Sequence, residues 1–361
     1  SPLVHRSMII VARHDITPAQ LDALYAKAPV FAVVSGLGSG DWSPVDAFCA
    51  RHEVPCWFPS VVAPPAKAPH ALYFNAGVHL EARALARSLK DQKGTGRRRI
   101  VQVHGPDAAS AGASVTFRES MAGSVSQISD RVLTSFSSSE LAEALADMHR
   151  GDIAVLWMNA SELQALKSLS PPEGDVWLSA TLGADTPEVV PVPWRKAVRV
   201  LYPYELPEQR AANLAYFRAW RVQRQLPLID ETLQSEVFFA FSFFTDTIAE
   251  MLDNLYREYL IERAETMIDR RELSRAESEY LSSTSSHVRV DGQGAAGTKA
   301  PGPVAYQAIK DAGAGFMQRG GTTAYPHLTL GAGQRFASKG VYFVHYDSAG
   351  RVVADGDWIV P

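Results

Sequence analysis

Ser35–Asp41, SGLGSGD, is the first segment whose residue types could do chemistry. It follows an apolar run, Val30–Val34, and precedes a helix pattern, Pro44–His52, which is where a dinucleotide loop would lie. The fingerprint G-x-G-x-x-G fails at its sixth place, because Asp41 would set a carboxylate against pyrophosphate. Neither the phosphate loop G-x-x-x-x-G-K-[ST] nor the nucleophile elbow G-x-S-x-G occurs. The turn keeps a set of backbone N–H groups and the Ser39 hydroxyl, able to hold a hydrogen-bond acceptor. The competing reading is a tight turn with a purely structural role.

Ten histidines are dispersed, with no H-E-x-x-H and no close pair on a helix face, so no metal centre is expected. His104 stands out because it ends a strand pattern at His104-Gly105-Pro106-Asp107. Between Glu250 and Glu279 carboxylates alternate with arginines, the mark of a solvated helix face. No nucleophile, base and acid come together, so the chain is not expected to be an enzyme or to carry a cofactor. The two cysteines, Cys49 and Cys56, are too far apart for C-x-x-C chemistry. A helix-to-strand turn near Glu53 could bring them together as a disulfide, which suits an oxidising compartment. Two buried free thiols are the alternative.

The elements that must position these groups follow a rhythm. Met8–Ala12, Val30–Val34 and Val54–Phe58 are short apolar runs, separated by helix patterns at Pro18–Ala28 and Pro44–His52. Val78–Leu89 is amphipathic, with Leu80, Ala84, Leu85 and Leu89 on one face. After the polar break Asp91–Arg99 the rhythm restarts. Strands are expected at Ile100–Val103, Ile153–Trp157 and Val176–Ser179, with helices at Ala111–Ala122, Ser139–His149 and Ser161–Leu169. Alternation of this kind predicts an α/β fold with parallel sheets and right-handed crossovers. Glu208–Gln223 and Glu231–Arg271 read as helices, the second broken near Thr245. Ser282–Gly321 is rich in Ser, Gly and Ala, which predicts a flexible or partner-contacting insertion. Val341–Tyr346 and Arg351–Ala354 flank Asp347–Gly350, a hairpin signal.

Length and charge narrow the classes. A chain of 361 residues reads as two domains. A formal charge of −4 argues against a general nucleic-acid binder. The longest apolar run, Val237–Phe244, is too short to cross a bilayer, which needs about twenty residues. The first residues, SPLVHRSMII, lack the features of a secretory signal.

The order of elements resembles the type I periplasmic solute-binding proteins, the leucine/isoleucine/valine-binding group that serves ABC transporters. The resemblance rests on VFAVVSGLGSGDWSPVDAFCARHEVPCWFPSVVAPPA, RRRIVQVHGPDAASAG, DIAVLWMNASELQAL and the tail YPHLTLGAGQRFASKGVYFVHYDSAGRVV. It implies a two-lobed α/β fold, each lobe a mainly parallel sheet flanked by helices, joined by three crossovers. Residues 1–92 and 206–328 would form the first lobe, and 98–200 with 338–361 the second. The family's first strand and helix have no counterpart before Met8–Val34, which implies an N-terminally incomplete chain or a strand supplied from elsewhere.

The resemblance also implies a ligand cleft. Its expected residues are Ser39, Gly40, Trp42, Ser60 and Val62 from the first lobe, with His104, Trp157, Asn159 and Thr181 from the second. In amino-acid binders of the group, hydroxyl and N–H groups of the first lobe hold the ligand carboxylate, and Ser39, Gly40, Ser60, Val61 and Val62 match that set. An acidic residue of the second lobe usually meets the ammonium, and here Thr181 stands in its place. A small organic solute other than a standard α-amino acid is therefore expected. The implied function is solute capture in the periplasm for a membrane permease or sensor. The alternative is a degenerate interaction subunit of a periplasmic complex, with a partner such as a c-type cytochrome.

Overall fold

The computed structural model describes residues 17–38, 40–92, 98–124, 126–251, 254–287 and 323–361, with the side chains of 274–287 left aside. Met8–Ala12 and most of the expected insertion, residues 288–321, lie outside the described residues. Two regions of sheet are unequal. The smaller consists of two-residue strands, β1 (Val33–Val34), β2 (Leu37–Gly38), β3 (Cys56–Trp57), β4 (Ser60–Val61) and β5 (Ala71–Leu72). They pair in parallel as β1-β3-β5 and β2-β4. The expected runs Val30–Val34 and Val54–Phe58 thus contribute only two ladder residues each.

The larger region is one seven-stranded sheet. Its strands are β6 (Arg99–His104), β7 (Gln127–Val132), β8 (Ile153–Trp157), β9 (Asp175–Ser179), β10 (Val198–Tyr202), β11 (Tyr342–Tyr346) and β12 (Val352–Ala354). Their order is β12-β11-β10-β9-β8-β6-β7, parallel from β7 to β10 and antiparallel at β10–β11 and β11–β12. Every residue of β8 is buried, as expected of a central parallel strand covered on both faces. The Asp347–Gly350 turn joins β11 to β12 as a hairpin, closed by the Gly350 N–H on the Asp347 carbonyl at 2.9 Å.

Helices α1 (Pro18–Lys27) and α2 (Ser43–Arg51) pack with the small sheets, whereas α3 (Val78–Asp91) does not. Leu80, Ala84 and Leu85 of α3 share one core with Ile100, Val155, Trp157 and Phe343, so α3 covers the seven-stranded sheet. Helix α3, within the range 1–92 expected for the first lobe, thus packs on the second sheet, and the chain passes between the sheets at Asn75–Gly77. Gly77 is required there, because φ is +55° and a Cβ would collide with the Val62 carbonyl oxygen. The chain crosses back at Tyr202–Glu205, where the Glu205 N–H meets the Ala324 carbonyl at 2.8 Å. A third passage follows Ala337 and Ser338, whose N–H groups bond the carbonyls of Tyr73 (3.0 Å) and Phe74 (2.6 Å). The first and third passages therefore lie side by side.

The remaining helices are α4 (Ala108–Ser120), α5 (Ser138–Leu145), α6 (Pro207–Asn213), α7 (Ala215–Gln223), α8 (Glu231–Met251) and α9 (Arg257–His287). Helix α8 runs unbroken through Thr245, contrary to the expected break. Thr245 and Thr247 fold their hydroxyls back onto the carbonyls of Phe241 and Phe243 one turn earlier, so both polar groups are satisfied within the helix. The interruption falls instead between Met251 and Arg257. The helix expected over Ser161–Leu169 is present as a 3-10 helix, Glu162–Ser168. Among the described residues no helix is long and apolar enough to cross a membrane.

Candidate functional site

Parallel strands leave their carboxyl ends pointing one way, and loops at those ends form the natural site of an open α/β sheet. Here the carboxyl ends of the two sheet regions face each other across a cavity of about 210 Å³. Pro59–Val62 and Tyr73–Asn75 supply the wall from the small sheets. Ala180, Thr181, Gly183 and Asp185, just past β9, supply the opposite wall, and Tyr204 and Tyr325 sit near the passages between lobes. The first turns of α8 close the remaining side with Asp230, Thr232, Leu233 and Glu236.

Two buried carboxylates organise this space. Glu81 of α3 is fully buried behind the β9 end. It accepts the Thr181 N–H at 2.9 Å, the Thr181 hydroxyl at 2.7 Å and the Ser179 hydroxyl. Burial pushes its carboxyl up to about 7, against the pull of those donors. Glu236 accepts the Tyr325 hydroxyl at 2.5 Å, and the nearby Ser60 hydroxyl also favours its charged form. Burial pushes it up to about 6, again opposed by its donors. Asp185 carries a carboxyl raised by burial and held down by Arg210. Arg210 itself bonds the Tyr202 hydroxyl at 3.3 Å and the Thr232 hydroxyl, and lies 5.5 Å from the Tyr204 ring.

Of the expected cleft residues, Ser60, Val62 and Thr181 lie on the cavity wall. Their chemistry differs from expectation. The N–H groups of Ser60 and Val62 are spent on the carbonyls of Gly36 (2.8 Å) and Gly38 (3.3 Å). Neither residue therefore keeps a free N–H for a ligand carboxylate. Ser39 lies outside the described residues, and Gly40 is exposed and away from the wall. Trp42 is not a stacking platform in the cleft: it packs with Val45, Phe48 and Cys49 in the small-sheet core. A Cβ at Gly36 or Gly38 would meet the Trp42 ring at 2.7 or 2.6 Å, so the glycine-rich turn makes room for an indole.

Three residues expected from the second lobe lie off the cavity wall. Trp157 is wholly buried between the sheet and its helices, with its indole N–H on Gln102 Oε1 at 2.8 Å. His104 is buried and donates from Nδ1 to the Gly105 carbonyl at 2.8 Å. The Asn159 side-chain oxygen accepts the N–H groups of Ser161 (3.0 Å) and Glu162 (3.1 Å), which caps the 3-10 turn. None of the three lines the cavity. Cys49 and Cys56 are joined as a disulfide, with Cα atoms 6.1 Å apart.

Sequence reading missed Glu81, Asp185, Glu236, Tyr204 and Tyr325. Glu81 left one signal: it is a charge on the apolar stripe of α3, beside Leu80 and four residues before Leu85. The others come from elements far apart in the chain and carry no local mark.

No family model matches the chain, and no curated protein matches it in sequence. Solved structures do match. A branched-chain amino acid ABC transporter protein from Thermus thermophilus with bound valine aligns with TM-score 0.64 and 11% identity, covering 98% of this chain and 85% of that one. A fatty acid ABC transporter substrate-binding protein from Thermomonospora curvata aligns with TM-score 0.61 and 13% identity, covering 98% and 81%. A solute-binding protein from R. palustris in complex with benzoate gives 0.60 and 12%, covering 95% and 81%. The chain has the two-lobed fold of these type I periplasmic binding proteins, with mixed α/β lobes built on parallel sheets.

Proposed function

We propose that the chain is a solute-binding protein that captures a small organic molecule between its lobes and presents the closed form to a membrane permease or sensor. The observation that carries this reading is the cavity itself, walled by both sheet regions and bordered by the passages between them. A ligand touching Thr181 on one side and Ser60 on the other would be sealed by rotation about those passages. The reading is one of binding without chemistry, in the periplasm, where the Cys49–Cys56 disulfide is at home. The interaction-subunit alternative requires a filled cleft, and an open cavity of about 210 Å³ weighs against it. Native mass spectrometry of the purified chain, paired with small-angle scattering, tests the proposal. A co-purified small molecule whose removal expands the particle is the expected result. A chain that carries no molecule and keeps one shape with every candidate solute would sink it.

A further inference from the structure

We infer that this cavity selects a small organic cation, an amine or alkylammonium compound without a carboxylate of its own. The inference rests on the solute-capture reading and adds the ligand's chemical class.

The direction of the hydroxyl protons carries the argument. A hydroxyl has one proton to give and two lone pairs. Thr181 gives its proton to Glu81, and Tyr325 gives its proton to Glu236. Two hydroxyls on the cavity wall therefore keep lone pairs, not protons, for a ligand. The backbone N–H groups of Ser60, Val62 and Thr181 are likewise committed, to Gly36, Gly38 and Glu81. These are the positions where a carboxylate-bearing solute would need donors.

Charge points the same way. Glu236, Asp185 and Asp230 bring three carboxylates to the wall. Arg210, the guanidinium facing them, offsets part of the Asp185 and Glu236 charge. It bonds Tyr202 and Thr232, lies over the Tyr204 ring and keeps a buried Nε–H without a partner among the described residues. An anionic group entering here would meet acceptors and like charge. An ammonium would find both a counter-charge and acceptors for its protons.

The aromatic wall suits the rest of such a molecule. Phe74 stacks on Tyr325 with centroids 5.3 Å apart, and Tyr204 lies 5.5 Å from Tyr325. All three rings border the cavity and offer apolar surface and π density to an alkylammonium group. An ammonium would thus meet Glu236, Asp185 and Asp230, whereas a ligand carboxylate would find the Asn75 amide and the Thr232 hydroxyl as donors beside those same carboxylates.

The test is calorimetric titration of the full chain, after removal of co-purified solute, with n-butylammonium, tetramethylammonium, butanol, butyrate and leucine. One of the two cations should bind at least ten-fold tighter than butanol, and butyrate should not bind. Asp185→Asn should weaken that cation at least ten-fold, and Glu236→Gln should weaken it as well, with unchanged circular dichroism in both. Tightest binding by butyrate or leucine, with lobe closure in scattering, would overturn the cation assignment while leaving solute capture intact. Binding by none of the five would also overturn it, and the native-mass measurement above would then judge capture separately.

Discussion

The two lobes reach order by different physical routes. In the seven-stranded sheet, β6 and β8 pair over five residues, and β8, β9 and β10 continue the ladder. Among the described residues of the first lobe no ladder exceeds two residues. Its order comes from side chains of helices α8 and α9, far along the chain. Trp57 stacks on Phe243 at 5.1 Å, meets Phe58 and Phe244 edge-on, and donates its indole N–H to the Ala240 carbonyl at 2.9 Å. A lobe with few backbone pairs is held by its core and its clamps, so single side chains should matter more there.

The largest expected effect breaks that core. Trp57→Ala should cost about 4 kcal/mol, the usual scale for losing a fully buried indole. Native-state hydrogen exchange should then show lost protection at Cys56–Trp57 and Ala71–Leu72, and retained protection at Ile153–Trp157. Loss at both places together would mean that the lobes unfold as one unit, and the contrast between them would fail.

A second test bears on the junction between lobes. The Glu81 carboxyl is raised by burial from an ordinary 4.5 to about 7 in the folded chain. Between those values the folded chain keeps a proton that the unfolded chain has released. This contribution to stability is therefore full below pH 4.5 and lost as pH rises through 7, on the order of 3 kcal/mol. Glu236, raised to about 6, acts in the same direction over a narrower window. Glu81→Gln should flatten the decline in urea midpoint between pH 5 and 8. A profile identical to the unsubstituted chain would show that Glu81 does not titrate there.

The same contrast explains what could be read from sequence. Ile100–Val103, Ile153–Trp157 and Val176–Ser179 announced themselves as apolar runs because their strands are buried on both faces. The edge strand β7, QISDRV, is half exposed and polar, and no apolar pattern marks it. In the first lobe the apolar runs were visible, but their burial serves aromatic packing more than ladder formation, so their lengths as strands were overstated. Ser60, Val62 and Thr181 were expected from the family resemblance, and they stand at strand ends, where the loops of parallel sheets gather. Trp42 and Trp157 were expected in the cleft because a tryptophan near a strand end reads the same whether it faces a cleft or a core. Which way each hydroxyl proton points depends on Glu81 and Glu236, and that is a property of the folded contacts alone.

The disulfide offers a smaller test. It closes a short loop, seven residues from Cys49 to Cys56, across the turn between α2 and β3. Loop-closure entropy for so short a span gives about 2 kcal/mol. Reduction, or the Cys49→Ser/Cys56→Ser pair, should lower the first lobe's stability by that amount and leave protection of β8 and β9 unchanged. An equal loss in both lobes would again argue for one cooperative unit.

The smallest expected effect concerns Arg257, at the start of α9. Its guanidinium donates to the carbonyls of Val30 (2.7 Å), Phe31 (3.1 Å) and His52 (3.0 Å), and to the Tyr25 hydroxyl (3.0 Å). The fork thus ties the segment leading into β1 to the end of α2, where strand pairing is too short to do so. Lysine keeps the charge but presents its protons from one point and cannot reach partners spread this widely. Arg257→Lys should therefore cost about 1–2 kcal/mol, the scale of losing one or two charge-assisted bonds. Arg351 provides the control in the other lobe. It pairs with Asp347 in an exposed hairpin whose ladder already fixes the backbone, so Arg351→Lys should leave the unfolding midpoint unchanged. Equal responses at the two sites would mean that a side-chain clamp counts for no more where the ladder is short than where it is long.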